Sequence, residues 1–181
     1  MTVSLELLSR GPSRPDLLDD LVADDATVAA ALARWSAPAP VPVAPAGDAG
    51  LPDLEEVAGV LAAGTPAIVD VAPGLTGPGP AADHLADLLA VAAHSGVGFG
   101  SGLVPRCADA HQVWSLLAGA VAAMTGADVR AAIAEPDPAR ILGLSRSARE
   151  AIRDVITCTI VPDGRVDAVS ADLASADPGR R

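Results

Sequence analysis

The sequence predicts an α/β fold in which a short parallel βαβ sheet carries flanking helices and a C-terminal β-hairpin. Candidate strands begin near Val41, Ala67 and Val97, about 26 and 30 residues apart, with a helix-like segment between each pair. That spacing is typical of βαβ units and favours parallel strands. The length of 181 residues suits one domain, and half of the composition is apolar, which is enough to build a core.

The chain divides into four segments, of which the first, residues 1–50, is an N-terminal helical and Pro/Ala-rich segment. Apolar residues recur at helical spacing over 16–35. Val41 and Val43 then alternate with Pro. This predicts an edge strand or a linker, because Pro cannot donate to a central ladder.

Residues 51–126 are the predicted βαβ core, because helices, strands and Gly/Pro loops follow each other there in regular order. Pro52 and Asp53 begin the first helix, and Gly64 ends it. The further elements are strand Ala67–Ala72, loop 73–80, helix Asp83–Ser95, strand Val97–Gly100, loop 101–109 and helix Ala110–Met124.

Residues 127–175 are predicted to form short helices followed by a β-hairpin. Pro162-Asp-Gly164 is a strong turn signal, and apolar residues alternate on both sides of it. The elements are helices 128–135, 138–142 and 147–154, strands 156–161 and 166–173, and a tail at 176–181.

The charge distribution limits the classes of partner. The chain has 23 acidic residues and 12 Arg, a formal net charge of −11, and residues 1–100 hold 13 of the acids but only 3 Arg. We therefore expect no membrane binding and no affinity for nucleic acid from this acidic half. The absence of Lys, Tyr and Asn excludes a lysine Schiff base, a tyrosine acid and an asparagine oxyanion donor. Such usage is typical of a protein from a high-GC bacterium.

Cysteine usage and apolar runs indicate the compartment. Cys107 and Cys158 are far apart and lack the spacing of a metal site. The N-terminus shows no secretory signal, and the longest apolar stretch, 113–124, is too short to span a bilayer. These observations predict a cytoplasmic protein with free thiols.

Polar residues follow the candidate strands, at the position where parallel α/β sheets bind ligands. Arg106 is the candidate for an anionic group, and the His and Asp side chains are the candidates for acid–base catalysis. The predicted catalytic residues are Cys107, His111, His84 and Asp70, and the predicted ligand-binding residues are Arg106, Ser101 and Asp83.

Cys107 and His111 stand one helical turn apart at a helix start. A thiolate–imidazolium pair is expected there, with the pKa of Cys107 lowered by the helix N-terminus and by Arg106. The alternative is that Cys107 is a small packing residue and His111 a surface residue. Loop 73–80 likewise either approaches the substrate or is a surface turn.

Metal and nucleotide motifs are absent from the sequence. The three His form neither H-x-H nor H-E-x-x-H. Alternating glycines at 96–102 do not fit G-x-G-x-x-G, and without Lys there is no G-x-x-x-x-G-K-[ST]. We therefore predict no metal site and leave the cofactor open.

Two runs, Val97-Gly-Phe-Gly-Ser-Gly-Leu-Val-Pro105 and Pro138-Ala-Arg-Ile-Leu-Gly-Leu144, resemble the end of amidohydrolase-superfamily barrels. Those barrels often close with a strand reading F-G-S-D and then N-P-A-R-x-L-G-L. The metal-binding Asp of that family corresponds to Gly102 and the Asn to Asp137, and the H-x-H that opens the family's site is missing. The resemblance implies a shortened or non-catalytic relative of that family, without its metal.

A second pattern is typical of a winged helix. The tripeptide G-L-S reads as the turn of a helix-turn-helix, and the hairpin at 156–169 reads as its wing. Arg146, Arg149 and Arg153 would share one face of the second helix. Glu150 borders that face, and an i, i+4 pair with Arg146 explains the same residues on a solvated helix. We predict no DNA binding at physiological salt.

The sequence thus predicts a domain that binds a small polar or anionic molecule at the βα loops, and whether it turns that molecule over is left open. Turnover would be hydrolase-like and would proceed without metal. The alternative is a non-enzymatic interaction or regulatory subunit, and a winged-helix DNA-binding protein ranks third. The expected partners are a small-molecule ligand and either further copies of the chain or a partner subunit.

Overall fold

The structure, a computed structural model, describes residues 16–34, 37–46, 50–95 and 101–176. It confirms the predicted fold class, with a five-stranded parallel sheet, a two-stranded antiparallel sheet and flanking helices. The strands are β1 (Val22–Ala23), β2 (Val41–Pro42), β3 (Pro45–Ala46), β4 (Leu51–Pro52), β5 (Ala67–Asp70), β6 (Leu103–Arg106) and β7 (Thr159–Ile160). The helices are α1 (Val28–Arg34), α2 (Leu54–Ala62), α3 (Ala72–Leu75), α4 (Pro80–His94), α5 (Ala110–Thr125), α6 (Val129–Ala134), α7 (Pro138–Leu142), α8 (Arg146–Val155) and α9 (Val166–Ser175).

The parallel sheet has the strand order β1-β7-β6-β5-β2. From β2 to β7 the chain moves stepwise across the sheet, so the right-handed crossover rule places the connecting helices on one face. The connection from β1 to β2 crosses in the opposite direction, which places α1 on the other face. The two buried clusters agree with this arrangement, because Val28 and Leu32 of α1 pack with Val104 and Ile160, separately from the larger cluster.

Helix α5 lies at the centre of the larger cluster. Ten of its residues are buried, and a helix that is apolar on all sides is stable only when it is enclosed. Its start is fixed by Asp109, whose side chain accepts a hydrogen bond from the backbone N–H of Gln112 at 2.9 Å. The elements that position the candidate ligand site are therefore anchored on a rigid, enclosed helix.

The Pro/Ala-rich stretch forms the edge strand β2, the first of the two alternatives predicted for it. The backbone N–H groups of Val41 and Val43 donate to the carbonyl oxygens of Pro66 and Ile68, each at 2.9 Å. β2 therefore pairs in parallel with β5 at the edge of the sheet.

The prediction of a C-terminal hairpin is wrong. The segment predicted as its first strand contains β7, which pairs in parallel with β1 and β6. The segment predicted as its return strand forms the helix α9. Val169 and Leu173 are buried and Val166 packs against the same cluster. These three residues are three and four positions apart, which fits a helix. The error arose because the apolar pattern was assigned the two-residue period of a strand. Pro162-Asp-Gly164 is still a turn, with Gly164 at a φ of +75°.

The second strand of the predicted core also differs. Val97–Gly100 lies outside the described residues, and the strand beside β5 is β6, in a segment expected to be a loop. β6 is central although it contains Pro105, which has no N–H to donate. Its contacts with β7 are at Leu103–Ile156 and Arg106–Ile160, and Pro105 falls between them. The missing donor therefore coincides with a gap in the ladder.

The N-terminal segment forms a turn, β1 and α1 where one helix was predicted. Arg153 of α8 is buried, with 2% exposure, and its Nη1 donates to the carbonyl oxygens of Leu17 at 3.0 Å and Asp19 at 3.3 Å. Burial lowers the pKa of Arg153 to about 10. The Thr159 N–H donates to the Leu21 carbonyl at 2.7 Å, so α8 and β7 together hold β1 in the sheet.

Val104→Asp should abolish folding. Val104 is fully buried in β6, and a carboxylate there would lie in apolar surroundings without a partner. Val41→Asp is the matched control, since Val41 is 42% exposed on the edge strand and its variant should melt within a few degrees of the wild type. Circular dichroism and thermal melts measure both. A wild-type melt of the Val104 variant would contradict the central position of β6.

Candidate functional site

A cavity of about 550 Å³ opens on the side of the sheet where β5 and β6 lead into helices. We call it the loop cavity. Its lining residues are Gly74, Leu75, Thr76, Gly77, Pro78, Gly79, Ala82, Asp83, His111, Ser115, Arg130, Ile133 and Ala134. The volume is in the range of small-molecule sites, and the position follows the rule that parallel α/β sheets bind ligands beyond their carboxyl ends.

The wall of the loop cavity that follows α3 consists of alternating Gly and Pro. Gly77 and Gly79 have φ values of +142° and +148°, which side-chain-bearing residues rarely adopt. Pro78 and Pro80 restrict their own φ, and Pro80 begins α4, where its missing N–H has no consequence. The local sequence therefore sets the shape of this wall without apolar packing.

An ion pair between α4 and α6 lies at the mouth of the loop cavity. Arg130 Nη1 is 2.6 Å from Asp83 Oδ1, and the two side chains are 63% and 56% exposed. The hydrogen bond that Arg130 donates to Asp83 raises the pKa of Arg130 further above its ordinary value. Exposed ion pairs contribute little to stability, so Arg130 can exchange Asp83 for another anion at small cost.

His111 and Ser115 reach the loop cavity from α5. They are four residues apart, so they lie on the same face of the helix. His111 is exposed, whereas Ser115 has 2% exposure, which places the imidazole towards the opening and the hydroxyl in the interior. Ala82 and Ile133 are also buried and give the cavity apolar lining.

Two of the seven predicted site residues, Asp83 and His111, line the loop cavity, and the other five are placed elsewhere among the described residues. His84 Nε2 is 2.7 Å from the carbonyl oxygen of Pro52, so this side chain connects α4 to β4. Ser101 is buried just before β6. It therefore lies at the opposite end of that strand from the expected ligand-binding edge.

Asp70 and Arg106 do end neighbouring strands, and they are paired in the register of β5 and β6. Asp70 Oδ1 accepts from the backbone N–H of Ala72 at 3.0 Å. The two terminal nitrogens of Arg106 donate to the carboxylate of Asp25 at 2.8 and 2.6 Å, and this lowers the pKa of Asp25. Arg106 is thus held by a carboxylate of the protein itself.

The expected lowering of the Cys107 pKa is wrong. The thiol is 4% exposed, and burial raises its pKa, with a smaller contribution from the charge of Asp109. Arg106, which was expected to lower it, is turned towards Asp25. Burial likewise raises the pKa of Cys158 to about 11. These surroundings favour the interpretation of Cys107 as a packing residue.

Sequence reasoning missed Arg130 and Ser115 as lining residues. Ser115 carried a usable signal, because it interrupts the apolar run at 113–124. Arg130 carried none, since its approach to Asp83 depends on how α6 packs against α4 and α5.

The predicted wing is wrong, and the arginines of the expected DNA-binding face are engaged within the protein. Arg153 is buried against the turn before β1. Arg149 Nη1 is 3.0 Å from Asp16 Oδ1, and Arg146 Nε is 3.0 Å from Glu150 Oε1. Arg153 is therefore not on an exposed face shared with Arg146 and Arg149.

Within the described ranges, no three His, Cys, Asp or Glu side chains come together in a group able to hold a metal ion. No helix in the part of the chain that the structure describes is long and apolar enough to cross a membrane. At Gly102, the position of the metal-binding Asp in the resembled family, a Cβ would collide with the carbonyl oxygens of Asp154 and Val155. A carboxylate cannot occupy that position in this fold.

Comparison with protein-family models, with curated proteins and with solved structures found no match for this chain. The similarity to amidohydrolase barrels therefore stays a prediction.

In the native protein, both thiols should react with iodoacetamide at about pH 8 much more slowly than free cysteine. Burial limits access and keeps the sulfur protonated. In denaturant, both should react at the rate of a free thiol. Peptide mass spectrometry separates the rates of Cys107 and Cys158, and fast labelling of native Cys107 alone would restore the nucleophile hypothesis.

The same burial should make the protein less stable in mild alkali. An unfolded thiol has a pKa of about 8.5, whereas both native values are raised, so the unfolded chain loses its protons first. The free energy of unfolding should therefore fall as the pH rises, by about 1.4 kcal/mol per thiol at about pH 9.5. Urea titrations measure this fall.

The chain suits this experiment because it has no Lys or Tyr that would titrate in the same range. Arg153, with a pKa lowered to about 10, acts in the opposite direction and mainly above this window. The variant Cys107→Ala/Cys158→Ala should lose most of the pH dependence. A fall of the same size in that variant would show that other groups are responsible.

Proposed function

We propose that the protein binds a small carboxylate, or an anion of similar size, with an apolar body in the loop cavity. One observation carries this proposal: a cavity of about 550 Å³ combines buried apolar lining with a cation, Arg130, and an imidazole, His111. Its position beyond β5 and β6 supports the proposal, because this is the general ligand position of parallel α/β sheets.

Arg130 is the residue that would hold the anion. A guanidinium offers a planar pair of donors that matches a carboxylate, and it stays charged at any physiological pH. In the structure Asp83 takes this place, with its Oδ1 at 2.6 Å from Arg130 Nη1. A ligand carboxylate would therefore compete with Asp83 for Arg130, and the strength of binding is set by that exchange.

The net charge of the chain makes a local cation necessary. At −11 the protein as a whole repels anions, so an anionic ligand needs Arg130 at the entrance to offset that field. If the bound molecule is turned over, His111 is a group among the described lining residues that can accept and return a proton. Binding of the anion is the first part of the proposal, and hydrolase-like turnover of the bound molecule is the second.

Arg130→Gln should reduce the affinity for short alkanoates at least about tenfold, because hydrogen bonds to a charged group are lost. Asp83→Asn should raise the affinity, because it removes the competing carboxylate. Ligand-observed NMR with hexanoate and octanoate measures both effects. Neither variant should lower the melting temperature appreciably, since the pair is exposed.

Arg140→Gln is the matched control, because it removes the same charge from an exposed arginine on α7 that is not a lining residue. Its affinity should equal that of the wild type. If the Arg130 and Arg140 variants bind alkanoates equally well, or if the wild type binds none, the proposed site is wrong.

A further inference from the structure

The hydroxyl of Ser115 differs from those of Ser95 and Thr125, which lie at the C-terminal ends of α4 and α5. Ser95 Oγ donates to the carbonyl oxygen of Val91 at 2.6 Å, and Thr125 Oγ1 donates to that of Val121 at 2.8 Å. Ser115 has the same opportunity in the middle of α5, yet within the described residues its hydroxyl makes no hydrogen bond. The residue is 2% exposed, and it lines the loop cavity.

A hydroxyl that reaches a cavity and makes no hydrogen bond within the protein is satisfied from the cavity side, because polar groups in native structures nearly always have a hydrogen-bond partner. Alanine would fit the same space and has a higher helix propensity. The five positions that follow it in α5 are indeed Leu, Ala and Gly. A partner for Ser115 is therefore to be expected from the side that remains open, which is the loop cavity.

The two polar ends of the loop cavity differ in depth. Arg130 is 63% exposed at the mouth, and Ser115 is buried. Buried apolar lining is contributed by Ala82 and Ile133. A ligand whose anionic group is bound by Arg130 thus places its opposite end in apolar surroundings that contain the Ser115 hydroxyl.

We infer that Ser115 is a specificity-determining residue, and that the ligand is a carboxylate with a hydroxyl or carbonyl group at the end remote from its carboxylate. This inference rests on the proposed function of the loop cavity. The serine hydroxyl can donate or accept, so it suits either group. A purely apolar tail would leave Ser115 without a hydrogen bond, and the site would discriminate against it.

The test compares each alkanoate with the ω-hydroxyalkanoate of the same length, from three to eight carbons, by ligand-observed NMR. At the length that reaches Ser115, the wild type should bind the hydroxy acid about two- to tenfold more tightly. Ser115→Ala should bind the two acids equally and should bind the alkanoate at least as tightly as the wild type does, because no hydroxyl is left to be desolvated by an apolar tail. Its melting temperature should be equal to or above that of the wild type, because a buried polar group is removed.

Ser170→Ala is the control, since Ser170 is exposed on α9, and this variant should keep the preference for the hydroxy acid. The inference is overturned if the wild type binds both acids equally at every length, or if the Ser115 variant keeps the preference. If neither acid binds to the wild type, the proposed function fails and the inference fails with it. Binding of alkanoates without any preference would overturn the inference alone.

Discussion

The arrangement of the sheet depends on the hydrogen bonds that the buried guanidinium of Arg153 donates. It reaches from α8 to the carbonyl oxygens of Leu17 and Asp19, just before β1, and so fixes this two-residue strand against β7. From β1 the chain continues into α1 on the second face of the sheet, and Asp25, which lies between these two elements, pairs with Arg106. Because a buried charge is costly even when it is hydrogen-bonded, we interpret this contact as one that specifies where β1 docks rather than one that adds stability.

Elements with strong local signals are those that the sequence predicts correctly. β5 is a buried apolar run, and α4 and α5 combine helical spacing with Pro80 or Asp109 at their starts. Errors occur where the local signal is short or fits two periods. β1 has two residues and is defined only by pairing with β7, and the apolar residues of α9 also fit part of an alternating pattern. In both cases tertiary contacts decide the outcome.

The site could be predicted only in part, for a related reason. Asp83 and His111 follow strands in the sequence, and the rule for parallel sheets finds them. His84 directly follows Asp83, yet neighbouring residues on a helix point about 100° apart, and its ring meets Pro52 instead of the cavity. Arg130 reaches the cavity only because α6 packs against α4 and α5. Ser115 lies within an apolar run, where core residues are expected. Proximity in sequence to a strand end says neither which face a side chain takes nor what packs over it.

The proline alternation in β2 has a consequence for the behaviour of the protein at high concentration. The N–H groups of Val41 and Val43 point towards β5, so the positions that alternate with them face away from the sheet. Those positions are Pro40 and Pro42, which have no hydrogen to donate. An open sheet edge normally offers a row of donors on which a strand of another molecule can assemble, and this is a common start of aggregation. In β2 the N–H donors that face β5 are present, whereas the outward-facing positions carry none. β2 therefore completes its own sheet but offers few hydrogen-bond donors to a strand of another molecule.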